Sequence, residues 1–253
     1  GNGYNSVNER PVLLIQYLSG NDTSIKAIPA VTSLESPIAQ RNGLSAPRLV
    51  DINGDGTPDV VYAGDLLGNM WKFDVSSNTE SDWNIAFSGK PLYTARYESG
   101  GSSTAQSITT PPLVKINSRG ATGLMVAFGT GRNITEGDRT DSSVQTIYSV
   151  LDNTLYKTKK LTSPKDKNIV EISNKVTPEA LGSGTSNLIE QTVGYKKISG
   201  SGVSAGLNFW EVSQNKVEFT GTGAKKGWYM HFPETGERLL QSASFYDGSN
   251  ILE

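Results

Sequence analysis

The sequence predicts an all-β protein of propeller-like architecture with long loop insertions. Its 253 residues include 27 Gly and 11 Pro but only 19% charged residues, which suits many short strands joined by turns. An internal repeat also brings back the same strand pattern about every 64 residues. Recurring strand units of this kind are typical of propeller blades, which bury their faces by stacking on one another.

The composition excludes several classes of function. A net charge of −2 provides no basic surface for nucleic acid or for an anionic membrane. The absence of cysteine excludes disulfides and thiolate metal sites, and no apolar run is long enough to span a membrane. Because the chain starts and stops abruptly, we expect residues 1–253 to form a single propeller domain, a C-terminal fragment of a longer secreted protein.

The first segment reads as a β-hairpin followed by a polar loop. We expect strands at Val12–Leu18 and Ser24–Ala30, joined by a turn at Gly20–Asp22. Pro37, Gly43 and Pro47 then interrupt the chain, which predicts a loop up to the first repeat.

The repeat aligns residues 46–65 with residues 110–130. Each copy predicts a strand, a loop, a buried strand and a Gly turn, followed by an aromatic outer strand at Asn69–Val75 or Gln145–Asp152. Polar insertions at 76–82, 99–107 and 132–143 explain a period longer than the usual ~40–50 residues per blade. The matched pairs are Pro47 and Pro111, Leu49 and Leu113, Val50 and Val114, Ile52 and Ile116, and Asn53 and Asn117.

The loop DINGDGTPD, residues 51–59, has the pattern of a calcium site. Side-chain oxygens stand at positions 1, 3, 5 and 9, and glycines at positions 4 and 6 allow the sharp turn. An oxygen-only donor set selects a hard cation, so we predict Ca²⁺. Tyr62 replaces the bidentate Glu of an EF-hand and a strand follows, so the ninth-position Asp must serve instead. The predicted ligands are Asp51, Asn53, Asp55 and Asp59 through side chains and Thr57 through its carbonyl.

The second copy of the repeat lacks these ligands. Lys115, Arg119 and Gly123 stand where the first copy has its three Asp residues. The metal loop is therefore predicted to be an addition to one blade, with affinity in roughly the micromolar to millimolar range. The alternative is that the Asp and Asn side chains only cap backbone amides of a turn.

The rest of the chain is first polar and then β-like. Residues 153–206 carry many lysines, which predicts a solvated surface loop rather than a polyanion site, and Pro178–Leu181 could start a short helix. Alternating patterns then predict strands within residues 206–212, 216–221, 227–232 and 237–248.

Three blocks in order, GDGTPDVVYAGDLLGNMWKFDV, TPPLVKINSRGATGLMVAFGTGR with QTIYSVLDN, and KKGWYMHFPETGERLL, resemble the C-terminal β-propeller of the PilC/PilY family of type IV pilus proteins. The resemblance implies a modified propeller with one calcium site on the loop ligands named above. Position 3 departs from the acidic pattern by being Asn53. The family resemblance also implies a pilus-associated, extracellular or outer-membrane-associated protein. Such a protein promotes pilus assembly, opposes retraction, and supports adhesion and twitching motility. Its partners would be pilins or the assembly machinery, with a host-cell receptor as a further candidate.

Two other functional classes remain open at this point. A purely adhesive receptor-binding module is one, although the chain contains no Arg-Gly-Asp sequence. The blade YAGDLLGNMWKFD is also similar to those of quinone-dependent dehydrogenase propellers, but a chain with one His and no Cys offers few catalytic groups, so we expect no enzyme. His231 is expected to be structural, Asp65 and Asp74 to belong to blade turns, and Gly129–Gly131 to be a turn. Trp71, Trp83, Trp210 and Trp228 are expected in the core between blades.

Overall fold

The computed structural model describes residues 10–18, 24–30, 42–117, 120–159, 169–197, 206 and 208–245. Helical structure in these residues is limited to short 3₁₀ segments at Glu80–Asp82 and Glu136–Thr140 and a turn at Ala86–Gly89. The strands are β1 Val12–Gln16, β2 Ile25–Pro29, β3 Arg48–Val50, β4 Val60–Gly64, β5 Asn69–Asp74, β6 Asn84–Ile85, β7 Tyr93–Thr94, β8 Arg96–Ser99, β9 Ser102–Ala105, β10 Leu113–Ile116, β11 Leu124–Gly129, β12 Thr146–Asp152, β13 Tyr156–Lys159, β14 Ile169–Ile172, β15 Ile189–Glu190, β16 Val193–Lys197, β17 Asn208–Val212 and β18 Gly227–His231.

The first copy of the repeat forms one antiparallel sheet. Its order is β3-β4-β5-β6, and β7 also pairs with β5. Every residue of β4 is buried, because both faces of this strand are covered. The predicted strand, loop, strand and Gly turn of this repeat unit are thus confirmed.

The second copy forms the corresponding sheet, in the order β10-β11-β12-β18-β15. Strands β5 and β12 were predicted as outer strands, and this was wrong. Each is the third strand of its sheet, and in the second sheet β18, far along the chain, adds the next strand. The nearly continuous burial of β12 reflects this central position.

Two hydrophobic cores lie on opposite faces of the first sheet. Alternate residues of β4 enter each: Val60 and Tyr62 face one core, and Val61 and Ala63 face the other. The first core fills the space between the two sheets, and the second joins the first sheet to the hairpin β1–β2, which is confirmed as a hairpin. The predicted turn at Gly20–Asp22 lies outside the described residues.

A close-packed glycine recurs where the second strand of each sheet ends. A Cβ on Gly64 would lie 2.2 Å from Ile108, and one on Gly129 would lie 2.5 Å from Leu239. The same two aliphatic residues donate backbone hydrogen bonds to equivalent carbonyls, Ile108 to Asp65 (2.9 Å) and Leu239 to Thr130 (3.0 Å). The structural repeat therefore extends beyond the aligned residues. In each copy, a crossing segment that contains Ile108 or Leu239 packs on the end of the second strand.

Several predictions for the second half of the chain are wrong. Part of the lysine-rich loop forms the hairpin β13–β14. No helix starts at Pro178, because the Leu181 amide donates to Leu92 and the Thr94 amide donates to Gly182, which keeps this segment extended beside β7. The predicted strands within 216–221 and 237–248 are irregular over their described residues, whereas β17 and β18 are confirmed.

Insertions expected as plain loops carry ordered structure. Residues 99–107 contribute to the hairpin β8–β9. In the 132–143 insertion, Arg238 donates to the carbonyls of Asp138 (2.6 Å) and Arg132 (3.1 Å) and to that of Asp141. These bonds fix the insertion against the crossing segment that carries Leu239.

The four tryptophans do not share one environment. Trp71 is buried and Trp83 packs against the same core, but this core joins the first sheet to the hairpin β1–β2 and does not lie between the two sheets. Trp210 is 39% exposed and stacks on Tyr195 across the hairpin β16–β17, so its assignment to the core was wrong. Within the described residues, no helix has the length and apolar character needed to cross a membrane.

Candidate metal site

Residues 51–59 form the connection from β3 to β4. Gly54 and Gly56 adopt φ values of 76° and 86°, in the left-handed region that favours glycine. A Cβ at either position would meet nothing within 4 Å, so the backbone conformation alone requires glycine here.

Asp51 organises the interior of this loop. Its Oδ1 accepts a hydrogen bond from the Gly54 amide and its Oδ2 accepts one from the Gly56 amide, both at 2.7 Å. The Gly56 amide is the largest cause that lowers the pKa of this carboxyl. The loop backbone therefore favours an ionised Asp51.

Two further predicted ligands interact beside it. Asn53 Oδ1 accepts a hydrogen bond from the Asp55 amide at 2.9 Å, and Asp55 Oδ1 accepts one from the Thr57 amide at 2.8 Å. The two side chains also approach one another, with Asn53 Nδ2 3.4 Å from Asp55 Oδ2. The loop is thus a series of turns closed by side-chain oxygens.

Asp59 anchors the loop to the first sheet. Its amide donates to the Val50 carbonyl and its carbonyl accepts from the Val75 amide, both at 2.9 Å, while Oδ2 accepts from the Ile52 amide at 2.7 Å. Burial raises the pKa of the Asp59 carboxyl, and the negative charges of Asp51 and Asp55 raise it further. A cation among these carboxylates would relieve this repulsion.

The predicted ligands are brought to one loop, but not into a finished coordination shell. In the described part of the chain, no group of at least three acidic or histidine side chains is placed to hold a metal ion. The loop carboxylates instead accept hydrogen bonds from the loop's own amides. The candidate ligand atoms are all oxygen, and the charges of Asp51 and Asp55 act on the Asp59 carboxyl, so the residues fit a hard cation in their chemistry.

The equivalent connection in the second sheet has no room for a ligand at the last position. A Cβ on Gly123, the counterpart of Asp59, would lie 2.1 Å from the Asp152 carbonyl oxygen. Its loop is closed by Asn117, whose Nδ2 donates to the Ala121 carbonyl at 2.7 Å. Arg119, the counterpart of Asp55, lies outside the described residues.

A buried carboxylate, Asp65, directly follows β4. The sequence had suggested only that it belongs to a blade turn. Asp65 is fully buried, and its oxygens accept hydrogen bonds from the Leu67 and Asn69 amides and from three side chains. Those side chains are Asn42, Asn69 and Trp71, at 2.8–3.1 Å. Asp65 thus fixes the β4–β5 turn. In the sequence, the spacing of Asp65, Asn69 and Trp71 around a glycine could have indicated this hydrogen-bonded turn.

Sequence reasoning missed a buried ion pair between the two sheets. Lys72 on β5 and Asp152 on β12 are both buried, with Nζ 2.5 Å from Oδ2. Tyr62 donates to the same Oδ2 at 2.5 Å, and Thr154 donates to Oδ1 at 2.6 Å. Although burial raises it, the charge of Lys72 holds the pKa of Asp152 below its usual value. In the sequence, the position of Lys72 between apolar residues in NMWKFD could have indicated that this lysine is buried and paired.

The single histidine is part of a polar network. His231 Nδ1 lies 2.8 Å from Thr146 Oγ1, which accepts a hydrogen bond from Gln106 Nε2, also at 2.8 Å. Burial lowers the pKa of His231, partly offset by Glu190. The ring packs edge-on against Tyr97.

Lowering the pH is expected to destabilise the protein through His231. Its folded pKa lies below 6.5, so protonation favours the unfolded chain; the stabilisation is complete above pH 6.5 and is lost as the pH falls through the folded pKa. Denaturant unfolding between about pH 7.5 and pH 5, for wild type and His231→Gln, isolates this contribution. An NMR titration that placed the imidazole pKa at or above 6.5 would contradict the expectation.

Two five-stranded sheets, largely antiparallel and packed face to face, place the protein in the β-propeller class. A family model described as the PilY1 beta-propeller domain matches residues 1–174. The chain belongs to this family.

Known proteins agree with this assignment. The chain is 33% identical to the type IV pilus biogenesis factor PilY1 of Pseudomonas aeruginosa PAO1, over 93% of this chain and 20% of that protein. A PilY1 homolog of Xylella fastidiosa is 34% identical over 60% of the chain and 11% of its own length. The crystal structure of the P. aeruginosa PilY1 C-terminal domain superposes with a TM-score of 0.69 at 29% identity, covering 96% of this chain and 49% of that one. The chain spans about a fifth of the PAO1 protein's length.

Proposed function

We propose that this chain is a calcium-binding propeller domain that works in type IV pilus biogenesis. The observation that carries the proposal is the oxygen-rich loop from Asp51 to Asp59, set into a blade of the PilY1 family. The relatives that match most of the chain are type IV pilus biogenesis factors, which supports the same kind of process for this domain.

The loop residues would hold the ion between two strands of the first sheet. Asp51, Asn53, Asp55 and Asp59 would supply side-chain oxygens, and Thr57 would supply its carbonyl. Calcium contributes a divalent positive charge that neutralises the carboxylates. The protein's part is to position Asp59, whose backbone is hydrogen-bonded to both Val50 and Val75, so that the loop shape is coupled to the sheet.

In the cell, we propose that the domain promotes pilus assembly, opposes retraction, and supports adhesion and twitching motility. Pilins or the assembly machinery would be its partners, with a host-cell receptor as a further candidate, at an extracellular, pilus-associated or outer-membrane-associated location. No catalytic step is proposed. A purely adhesive module is the alternative that the cell experiment below distinguishes.

Calcium binding is expected to depend on Asp55. Isothermal titration of the wild type with Ca²⁺ should show binding, and Asp55→Ala should weaken it roughly ten-fold or more, because one carboxylate ligand is lost. Asp82→Ala removes an exposed carboxylate elsewhere in the same blade and should leave the affinity unchanged. Equal binding by wild type and Asp55→Ala would exclude the assigned ligands.

Replacing Asp59 in cells is expected to alter pilus number or twitching motility. Asp59→Ala removes the ligand that joins the loop to the sheet, so both calcium binding and loop position should change. Pilus counts and motility assays on a strain that carries the variant at normal protein level provide the measurement. Normal piliation and motility with reduced adhesion would instead favour the purely adhesive module.

A further inference from the structure

A cleft opens beside the buried ion pair, between the edge of the first sheet and the segments that follow β12. It encloses about 380 Å³, within the range of roughly 300–1,000 Å³ that is typical of small-molecule sites. Its lining includes Lys72, Asp74, Phe87, Ser88, Thr154 and Ile172. None of these residues belongs to the calcium loop.

The polar floor of the cleft is held by hydrogen bonds. Lys72 Nζ is held by Asp152 (2.5 Å) and by Thr154 Oγ1 (2.7 Å), and its side chain is 2% exposed. The rings of Tyr62, Phe87 and Tyr156 lie 5.0–5.9 Å from the ammonium. The Lys72 ammonium thus already fills the aromatic surroundings in which a cationic ligand would bind.

The mouth of the cleft is formed by a strained turn. Phe87 and Ser88 adopt φ values of 53° and 56°, a left-handed conformation that is costly for residues other than glycine. Conformations of this kind are concentrated at ligand-binding and active sites. The turn places one aromatic and one hydroxyl side chain on the lining of the cleft.

Some polar groups in and beside the cleft have hydrogen-bonding capacity that described residues do not fill. Asp74 Oδ1 accepts hydrogen bonds from the amide and hydroxyl of Ser76, whereas Oδ2 accepts none within the described residues. Behind Lys72, the buried Tyr156 hydroxyl lies near Thr154 without forming a hydrogen bond to a described residue. A bound molecule with hydroxyl groups could donate a hydrogen bond to Asp74 Oδ2 in the cleft.

The charges select the kind of ligand. One ammonium, on Lys72, faces two carboxylates, on Asp152 and Asp74, which gives the region a net negative charge and disfavours anions. Carboxylate and hydroxyl groups beside the apolar walls of Phe87 and Ile172 suit a neutral molecule with many hydroxyls and a C–H face. We propose that this cleft is a saccharide-binding site, independent of the proposed calcium loop.

The test is NMR titration of the ¹⁵N-labelled chain with D-glucose, D-galactose and N-acetyl-D-glucosamine, each alone. At least one sugar should shift amide signals at residues 84–88 and near Thr154. Asp74→Asn keeps an oxygen for the Ser76 bonds but removes the charge, and should weaken binding by about ten-fold. Glu136→Gln, which neutralises an exposed carboxylate in the other blade, should bind as the wild type does.

Three results would overturn the proposal. The first is the absence of shifts with every sugar, and the second is an unchanged affinity of Asp74→Asn. The third is a set of shifts confined to residues 51–59, or produced at the cleft by inorganic phosphate instead of sugars. Because the calcium titration concerns a different set of residues, failure of either proposal leaves the other open to its own measurement.

Discussion

Asp152→Ala is expected to lower the free energy of unfolding by about 3–5 kcal/mol, the usual cost of removing one partner of a buried ion pair. The change leaves the Lys72 ammonium buried without its counter-charge and the Tyr62 hydroxyl without its acceptor. Because the pair joins β5 to β12, the loss should weaken the packing of one blade on the next. Urea or guanidinium unfolding of wild type and variant measures the difference.

An exposed ion pair in the same chain provides the control. Lys159 and Glu171 lie 3.1 Å apart on the hairpin β13–β14, and both are solvent-accessible. Glu171→Ala should shift the unfolding midpoint very little, because water screens exposed pairs. The double variant Lys72→Met, Asp152→Leu should recover part of the loss, since no unpaired charge remains. An Asp152→Ala variant as stable as Glu171→Ala would show that the buried pair does not hold the blades together.

Asp65→Asn is expected to cost about 2–4 kcal/mol although the two side chains have nearly the same shape. Both carboxylate oxygens accept hydrogen bonds, Oδ1 from two amides and Oδ2 from Asn42, Asn69 and Trp71. An amide group must place its NH₂ where one of these oxygens stands, so donors would face donors at a side chain that is fully buried. Thermal or denaturant unfolding measures the loss, and the indole N–H signal of Trp71 should move in the NMR spectrum.

Asp82→Asn is the matched substitution for this experiment. Asp82 is exposed and accepts a hydrogen bond from the Ser77 hydroxyl at 2.8 Å, which water can replace. Its effect on stability should be small. If Asp65→Asn were equally mild and left the Trp71 indole signal in place, Asp65 would not be the group that fixes the β4–β5 turn.

The blade pattern could be predicted because it is local. Buried strands such as VVYAG and LMVAFG are short apolar runs that end at glycine, and their recurrence at a fixed spacing shows the repeat. The calcium loop could be proposed for the same reason, since its oxygen donors and glycines lie within nine consecutive positions. Whether the loop binds an ion stays a prediction.

Partners distant in sequence could not be predicted. The strand beside β12 is β18, and the ion-pair partner of Lys72 is Asp152, 80 residues away. Nothing in the local pattern of either segment specifies which of the available strands or charges will meet it. The extended segment at Leu181 shows the same limit, because its hydrogen bonds to residues 92–94 replace those of the expected helix.

The class of fold, the repeat and the oxygen-rich loop follow from the sequence alone, because strand periodicity, turn glycines and ligand spacing are properties of neighbouring residues. The folded structure was needed to show which face of each strand is buried, how Ile108 and Leu239 pack on equivalent glycines, and that Lys72 is a buried cation rather than a surface one. Those features arise when separate segments exclude water together, and the chain encodes them only through its complete packing.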